Sequence, residues 1–354
     1  MTLAPLALLL LYLLFWPVAI VPVSWTAPKD SGFVNAFSKN ERLTNLSELD
    51  LGEEIGPEHI ALQGEWLYTT VKSGAIIRMK RDGSAREVWV RTGGRPLGFA
   101  FDAAKNMIVA DSVLGLIMVG QNKRITILAD RFEDKPILYA DAVIVARNGM
   151  IYFSDASTRF GPATYGDTFE ASIMDVLEHS STGRIFAFDP RTGNLTVIVS
   201  GLCFANGVAL DQKEESLFIA DTGNYRIIRF WLSGPLRGQT QTVLENLPGY
   251  PDNLMRGRSG RIWAGLAKPR SAFADRASHS PFLRKLTLRL PRFLWPVPKP
   301  YGHVFAFTES GKIVQNLQDP SGKYPETTGV TETEDRFYIQ SLHAHKIGYM
   351  PATF

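Results

Sequence analysis

At 354 residues, with 45% hydrophobic side chains, Gly 30 and Pro 21, the chain is long enough to bury a large core and has turn formers for many short strands. A formal net charge of +3 gives no basis for nucleic-acid binding. The single cysteine, Cys203, excludes an intrachain disulfide framework, and within GLCFANG it reads as a small buried hydrophobe.

The chain opens on an apolar run. Thr2 to Val23 carries no charged side chain and matches the roughly 20 residues that a bilayer span needs. No small-x-small cleavage site follows it, and Trp16 and Trp25 are placed like interfacial residues. Residues 1–25 are therefore read as a transmembrane signal anchor, with a cleaved signal peptide as the rival reading. Residues 26–42 read as a linker. The folded part is expected on the non-cytoplasmic side of a membrane, or secreted, periplasmic or luminal if the leader is removed.

Six copies of one pattern fill residues 43–354. Each is an apolar, aromatic-rich strand with a polar residue in a loop about ten positions upstream. The strands begin at Trp66 (WLYTTV), Met107 (MIVADS), Met150 (MIYFSDAS), Ser216 (SLFIADT), Arg261 (RIWAGLA) and Arg336 (RFYIQSL). A matching strand follows each after a turn, and a further outer strand follows the first five. Self-similarity at a period of roughly 40 residues marks a repeat architecture. The expected fold is all-β: a six-bladed β-propeller with four-stranded blades, preceded by the N-terminal transmembrane or signal-anchor helix. The segment from Leu43 to Leu51 is expected to complete the sixth blade and close the ring. Two insertions, 158–182 and 268–301, interrupt the period and are expected to cover one face, the first with helical periodicity from Thr168 to Glu178. The second holds eight Lys or Arg residues between Lys268 and Lys299 among large apolar side chains, which suits either a membrane surface or a packed lid.

The repeat register turns six sequence positions into one site. Counting back nine to eleven residues from the second residue of each motif strand reaches Glu58, Leu97, Asp141, Asn206, Asp252 with Asn253, and Thr328. Equivalent positions at the mouth of a propeller channel converge on its axis. Carboxylates buried there with no Lys or Arg adjacent would repel one another unless a cation sat among them. Oxygen donors without sulfur or imidazole suit Ca2+, or another divalent cation. The candidate metal ligands are Glu58, Asp141, Asn206, Asp252 and Asn253. Taken singly, each could merely cap a local turn. His303, His343 and His345 read as ordinary surface or loop residues, and His59 should point away from Glu58.

The segments GPE, GRPLGFAFD, YADAVIVARNGMIYFSDAS, GRIFAFDPRTG, GLCFANGVALD, ENLPGYPDNL and KPYGHVFAF resemble the strictosidine synthase-like and adipocyte plasma membrane-associated proteins, grouped with the gluconolactonase, senescence-marker and paraoxonase propellers. The resemblance runs from about Gly56 to Tyr349. It implies a six-bladed propeller with a central Ca2+, and for many relatives hydrolysis of lactones, aryl esters or organophosphates. It places the family's metal glutamate on Glu58, its fourth-blade amide on Asn206 and its PDN aspartate on Asp252, beside Asn253. Where the family commonly has Asn-Asp, this chain has Asp141-Ala142. Leu97 stands where paraoxonases carry a proposed histidine base, and Thr328 stands where strictosidine synthase has its catalytic glutamate.

The sequence contains no nucleophile elbow, zinc-protease helix, P-loop or dinucleotide fingerprint. The expected function is a membrane-anchored, calcium-dependent hydrolase of the lactonase or arylesterase type, with Asp252 and Asp141 as candidate bases. Its substrate would be a small lipophilic ester or lactone. Membrane contact would run through residues 1–25 and the basic segment 268–299. A non-catalytic tethered scaffold and a condensing synthase are the alternatives, the latter disfavoured because Thr is a poor acid or base.

Overall fold

Short apolar strands separated by tight turns pair into six four-stranded antiparallel sheets in the computed structural model, which describes residues 3–352. Their inner strands are Ile60–Gln63, Pro96–Phe101, Ala140–Val145, Ala205–Leu210, Gly249–Arg256 and Thr327–Glu332, each packed against the inner strands of the blades on either side. The result is the expected six-bladed propeller. Blades 1 to 5 take their strands in chain order. In blade 6 the outer strand comes from the other end of the chain: Ser47–Asp50 pairs with Lys346–Pro351, Ser47 opposite Tyr349. This is the segment expected to close the ring, and Leu49 buries its side chain under the seam.

The core lies between blades. Val208, Leu217 and Ile219 of blade 4 pack on Ile185 and Leu202 of blade 3, and Phe218 and Ile227 pack on the other side against Ile262 and Phe305 of blade 5. Motif strands such as Met107–Asp111 and Ser216–Asp221 are buried along their whole length, which is why they read as continuous apolar runs.

Among the described residues five α-helices stand outside the sheets: α1 (Leu3–Phe15), α2 (Pro162–Tyr165), α3 (Thr168–Glu178), α4 (Ala272–Arg276) and α5 (Pro281–Arg289). Of the anchor expected over residues 1–25, the structure shows an apolar helix over Leu3–Phe15. The apolar helix is 13 residues long and gives way at Trp16-Pro17, since proline cannot donate to the helical ladder. Among the described residues no helix is long and apolar enough to cross a membrane. After α1 the chain threads between the two insertions. Ile20 is buried beside Leu97, Phe160 and Phe204, the Val23 amide donates to the Glu178 carbonyl (2.8 Å), and the Trp25 amide donates to the Ser278 carbonyl (3.2 Å). Residues 26–42 run along blade 5, where Phe37 packs edge-on against Phe305 and the Gln318 amide donates to the Phe37 carbonyl (3.0 Å).

Arg284 of α5 holds these parts together. Its buried guanidinium donates to the carbonyls of Leu177, Glu178, Val23 and Ser278 and so joins α3, the N-terminal strap and α4. Arg284→Met should strip all four carbonyls of this shared donor, leaving Glu178 and Ser278 only their bonds from the Val23 and Trp25 amides, and cost about 3 kcal/mol, chiefly in the insertions. Limited proteolysis should then cut within 268–301 while the protease resistance of the propeller strands is kept.

Candidate active site

The site is made by a recurring irregularity. In blades 2 to 6 the inner strand slips register near its start, between Pro96 and Phe99, Ala140 and Val143, Ala205 and Val208, Pro251 and Leu254, and Thr327 and Gly329. These β-bulges contain Leu97, Asp141, Asn206, Asp252 with Asn253, and Thr328. A bulge lifts a residue out of the ladder and re-aims its side chain. In blade 1 Glu58 lies just ahead of the inner strand, its amide donating to the Thr70 carbonyl (3.1 Å).

Small residues complete the bulges. Gly98, Ala142, Gly207 and Gly329 each follow a ring residue. A Cβ on Gly207 would fall 2.2 Å from the Leu254 nitrogen and 2.4 Å from the Asp252 carbonyl oxygen of the next blade. On Gly98 it would fall 2.8 Å from the Cα of Ala142. Neighbouring bulges thus approach closely enough for their side chains to share one space. The approach to three bulges is pinned by an aspartate ending the adjacent motif strand. Asp111, Asp155 and Asp221 are fully buried and accept from the amides of Arg95 (2.8 Å), Tyr139 (3.1 Å) and Cys203 (2.9 Å). Arg184 and Arg226 neutralise the last two of these aspartates, at 2.9 and 2.7 Å.

A cavity of about 170 Å3 opens over the ring, lined by Glu58, Asp141, Asn206 and Asp252 below and by both insertions above. The two insertions cover the same mouth, as their placement in the repeat predicts. Apolar groups dominate the walls: Phe169 and Val176 of α3, Phe204, and Phe273, Trp295 and Val297 of the second insertion. Asn253 does not line this cavity; its amide nitrogen donates to the Glu58 carbonyl (3.0 Å). Thr328 donates to the same oxygen (2.8 Å). Leu97 lines the cavity without offering a polar group.

Burial raises the Glu58 carboxyl to about 7, against the opposing pull of Arg95 and His343. Asp141 and Asp252 are pushed well above the carboxylate range, first by burial and then by the charge of Glu58. Arg95 corrects the expectation that no Lys or Arg stands nearby. Its guanidinium donates to the Val71 and Pro96 carbonyls and its charge reaches Glu58 and Asp141. One cation against three carboxyls leaves the ring short of positive charge. Glu58 Oε2 and Asn206 Oδ1 are buried without a hydrogen-bond partner. Among the described residues no group of three or more His, Cys, Asp or Glu is drawn together closely enough to hold a metal ion. The donor chemistry still fits a hard cation, since all the available groups are oxygens and two of them lack any partner.

Some residues near the mouth escaped the sequence reading. His343, read there as an ordinary loop residue, bonds Glu326, which also pairs with Lys268. His303 is buried and bonded to Asn316 (2.9 Å), a correction to its reading as a surface or loop side chain. His59 is buried against Phe99, at 4.8 Å between rings. Cys203 is buried, as expected, with its thiol 3.1 Å from His179.

The sequence pattern of strictosidine synthase matches residues 141–235, and that of the strictosidine synthase-like N-terminal region matches residues 35–79. Protein STRICTOSIDINE SYNTHASE-LIKE 13 of Arabidopsis thaliana is 32% identical over 80% of this chain and 77% of its own length. The chain belongs to the strictosidine synthase-like family. Adipocyte plasma membrane-associated protein of Salmo salar, 30% identical over 81% of this chain and 73% of its own length, is a further relative of this strictosidine synthase-like protein. Among solved structures, a gluconolactonase from Xanthomonas campestris superposes with a TM-score of 0.63 at 16% identity, over 94% of this chain and 98% of its own. A calcium-binding protein, regucalcin, from Agrobacterium tumefaciens gives 0.59 at 12% identity, over 87% and 94%. At these identities the structures share the propeller fold with the strictosidine synthase-like chain.

Proposed function

We propose that this protein is a membrane-anchored, calcium-dependent hydrolase of the lactonase or arylesterase type. The observation that carries the reading is a set of three buried carboxyls and an unpartnered amide oxygen beneath an apolar cavity. Fold neighbours described as a gluconolactonase and as a calcium-binding protein support it. Bound calcium would supply Lewis-acid polarisation of an ester, lactone or phosphoester oxygen. Glu58, Asn206 and Asp252 would hold the ion. Asp141 or Asp252 would accept the proton of the attacking water; burial and the charge of Glu58 raise the proton affinity of both, and a bound cation would draw them back toward the ionised form that a base needs. The apolar walls seat the body of a lipophilic substrate and exclude bulk water. Leu97 offers no base, and Thr328 is already spent on the Glu58 carbonyl, so an amine-condensing reaction finds no proton carrier at either position.

Membrane attachment is proposed through α1 and the rim of the second insertion. Leu8, Phe15, Phe282 and Phe293 are exposed there, and Arg289 of α5 clasps the last turn of α1 by donating to the Leu13 and Trp16 carbonyls (3.0 and 2.8 Å). The test is a panel of lactones, aryl esters and phosphotriesters, assayed on the full chain in detergent with Ca2+ or with a chelator. Calcium-dependent turnover of at least one class is expected. Stabilisation by calcium with no turnover on any class would instead mark a scaffold.

A further inference from the structure

The walls of the cavity contain one feature that an apolar substrate would not require. Lys268 is, among the described residues, the only cationic side chain lining the cavity, and it is 9% exposed. It lies near the end of the strand Arg261–Pro269, whose last four residues run past the final partner in the outer neighbour, Gly265 opposite Val304, toward the mouth. An ammonium carries three donors. One goes to Glu326, and the charge also sits 5.6 Å from the Phe169 ring. Among the described residues no other hydrogen-bond acceptor is found for it.

Glu326 does not serve Lys268 alone. Its second oxygen is taken by His343, so one carboxylate serves two partners. Its backbone is held at φ 51, in the left-handed region that a glutamate rarely adopts, with its amide donating to the Tyr301 carbonyl (3.3 Å) and its carbonyl accepting from Leu342 (3.1 Å). The carboxylate is thereby held in place; Lys268 lines the cavity and Glu326 does not, and among the described residues two of the three ammonium donors have no acceptor.

We propose that Lys268 is the subsite for an anionic end of the substrate, so that the cavity accepts amphiphiles with an apolar body and a terminal carboxylate. The subsite rests on this cavity being a substrate pocket, and not on the hydrolytic step. A carboxylate on Lys268 gains an ion pair as well as a hydrogen bond inside a low-dielectric wall, whereas an amide of the same shape gains only an ion–dipole hydrogen bond.

Calorimetric titration of the full chain with octanoate and with octanamide tests it without recourse to turnover. Octanoate is expected to bind at least about tenfold more tightly. Lys268→Met should erase that preference, Lys268→Arg should keep it, and Glu326→Gln should strengthen it by freeing the ammonium. The preference should persist in chelator. Equal binding of acid and amide overturns the proposal, as does a preference that survives Lys268→Met or that disappears with the chelator, which would put the carboxylate on a metal in the ring. Thermal melts identify a variant that fails to fold, in which case the arginine and glutamine variants decide. Turnover of neutral esters, measured separately, judges the hydrolase reading by itself.

Discussion

Asp252→Asn should lower calcium-dependent hydrolysis roughly 10^3-fold, the scale on which loss of a positioned base or charge is felt, and should weaken calcium binding. Its effect on stability should reverse sign with the ion. In chelator the wild-type ring holds three buried carboxyls against Arg95, so replacing one by an amide relieves repulsion and should raise the melting temperature. With calcium present, the same replacement removes a ligand and should lower the melting temperature relative to wild type. Melts at pH 8 in the two conditions check both signs, and an unchanged order would remove Asp252 from the ion's shell.

The same charges set a pH dependence. Glu58 ionises near 7 in the folded chain against an ordinary value of 4.5, so between those values the folded state holds the proton that the unfolded state has lost. Without calcium, stability should be highest at or below pH 4.5 as far as this group is concerned, and should fall as pH rises to about 7, by on the order of 3 kcal/mol for Glu58. Asp141 and Asp252 push in the same direction. Calcium should flatten or invert that slope, because a bound cation favours the ionised forms.

Gly207→Ala should be among the most damaging methyl groups that can be added near the site. The atoms it would meet, 2.2 to 2.6 Å away, are backbone of Asp252, Asn253 and Leu254, and none can turn aside as a side chain could. Blades 4 and 5 must separate, at a cost of about 3 kcal/mol or more, and the separation carries Asn206 and Asp252 apart. Asn206→Ala provides the contrast: it removes a ligand without the clash, so calcium affinity should fall with little change in melting temperature. A Gly207→Ala protein with unaltered melting temperature and calcium affinity would contradict the close packing of the bulges.

The ring was legible in the sequence because a propeller repeats its register. A count of residues back from each motif strand found Glu58, Asp141, Asn206 and Asp252, and these line one cavity. The count could not separate Asp252 from Asn253, since both lie within a bulge and alternation fails there. Arg95 was missed because it precedes a ring position occupied by Leu97, which drew attention away from blade 2. Lys268, Glu326 and His343 come from three different loops with no common period, so only folding brings them together. At the N terminus hydropathy correctly marked an apolar helix, whose described part covers Leu3–Phe15. Pro17 ends α1, and Ile20 is claimed by the propeller.

The union of Ser47–Asp50 with Lys346–Pro351 sets a limit on the timing of biogenesis. Blades 1 to 5 can assemble while translation proceeds, in the order in which they leave the ribosome. The circle stays unlatched until Lys346–Pro351 emerges, and a ribosome stalled before codon 346 would present an open crescent with the seam around Leu49 bare. Such a nascent chain is a natural client for a holdase, and its release depends on a clasp only a few residues long.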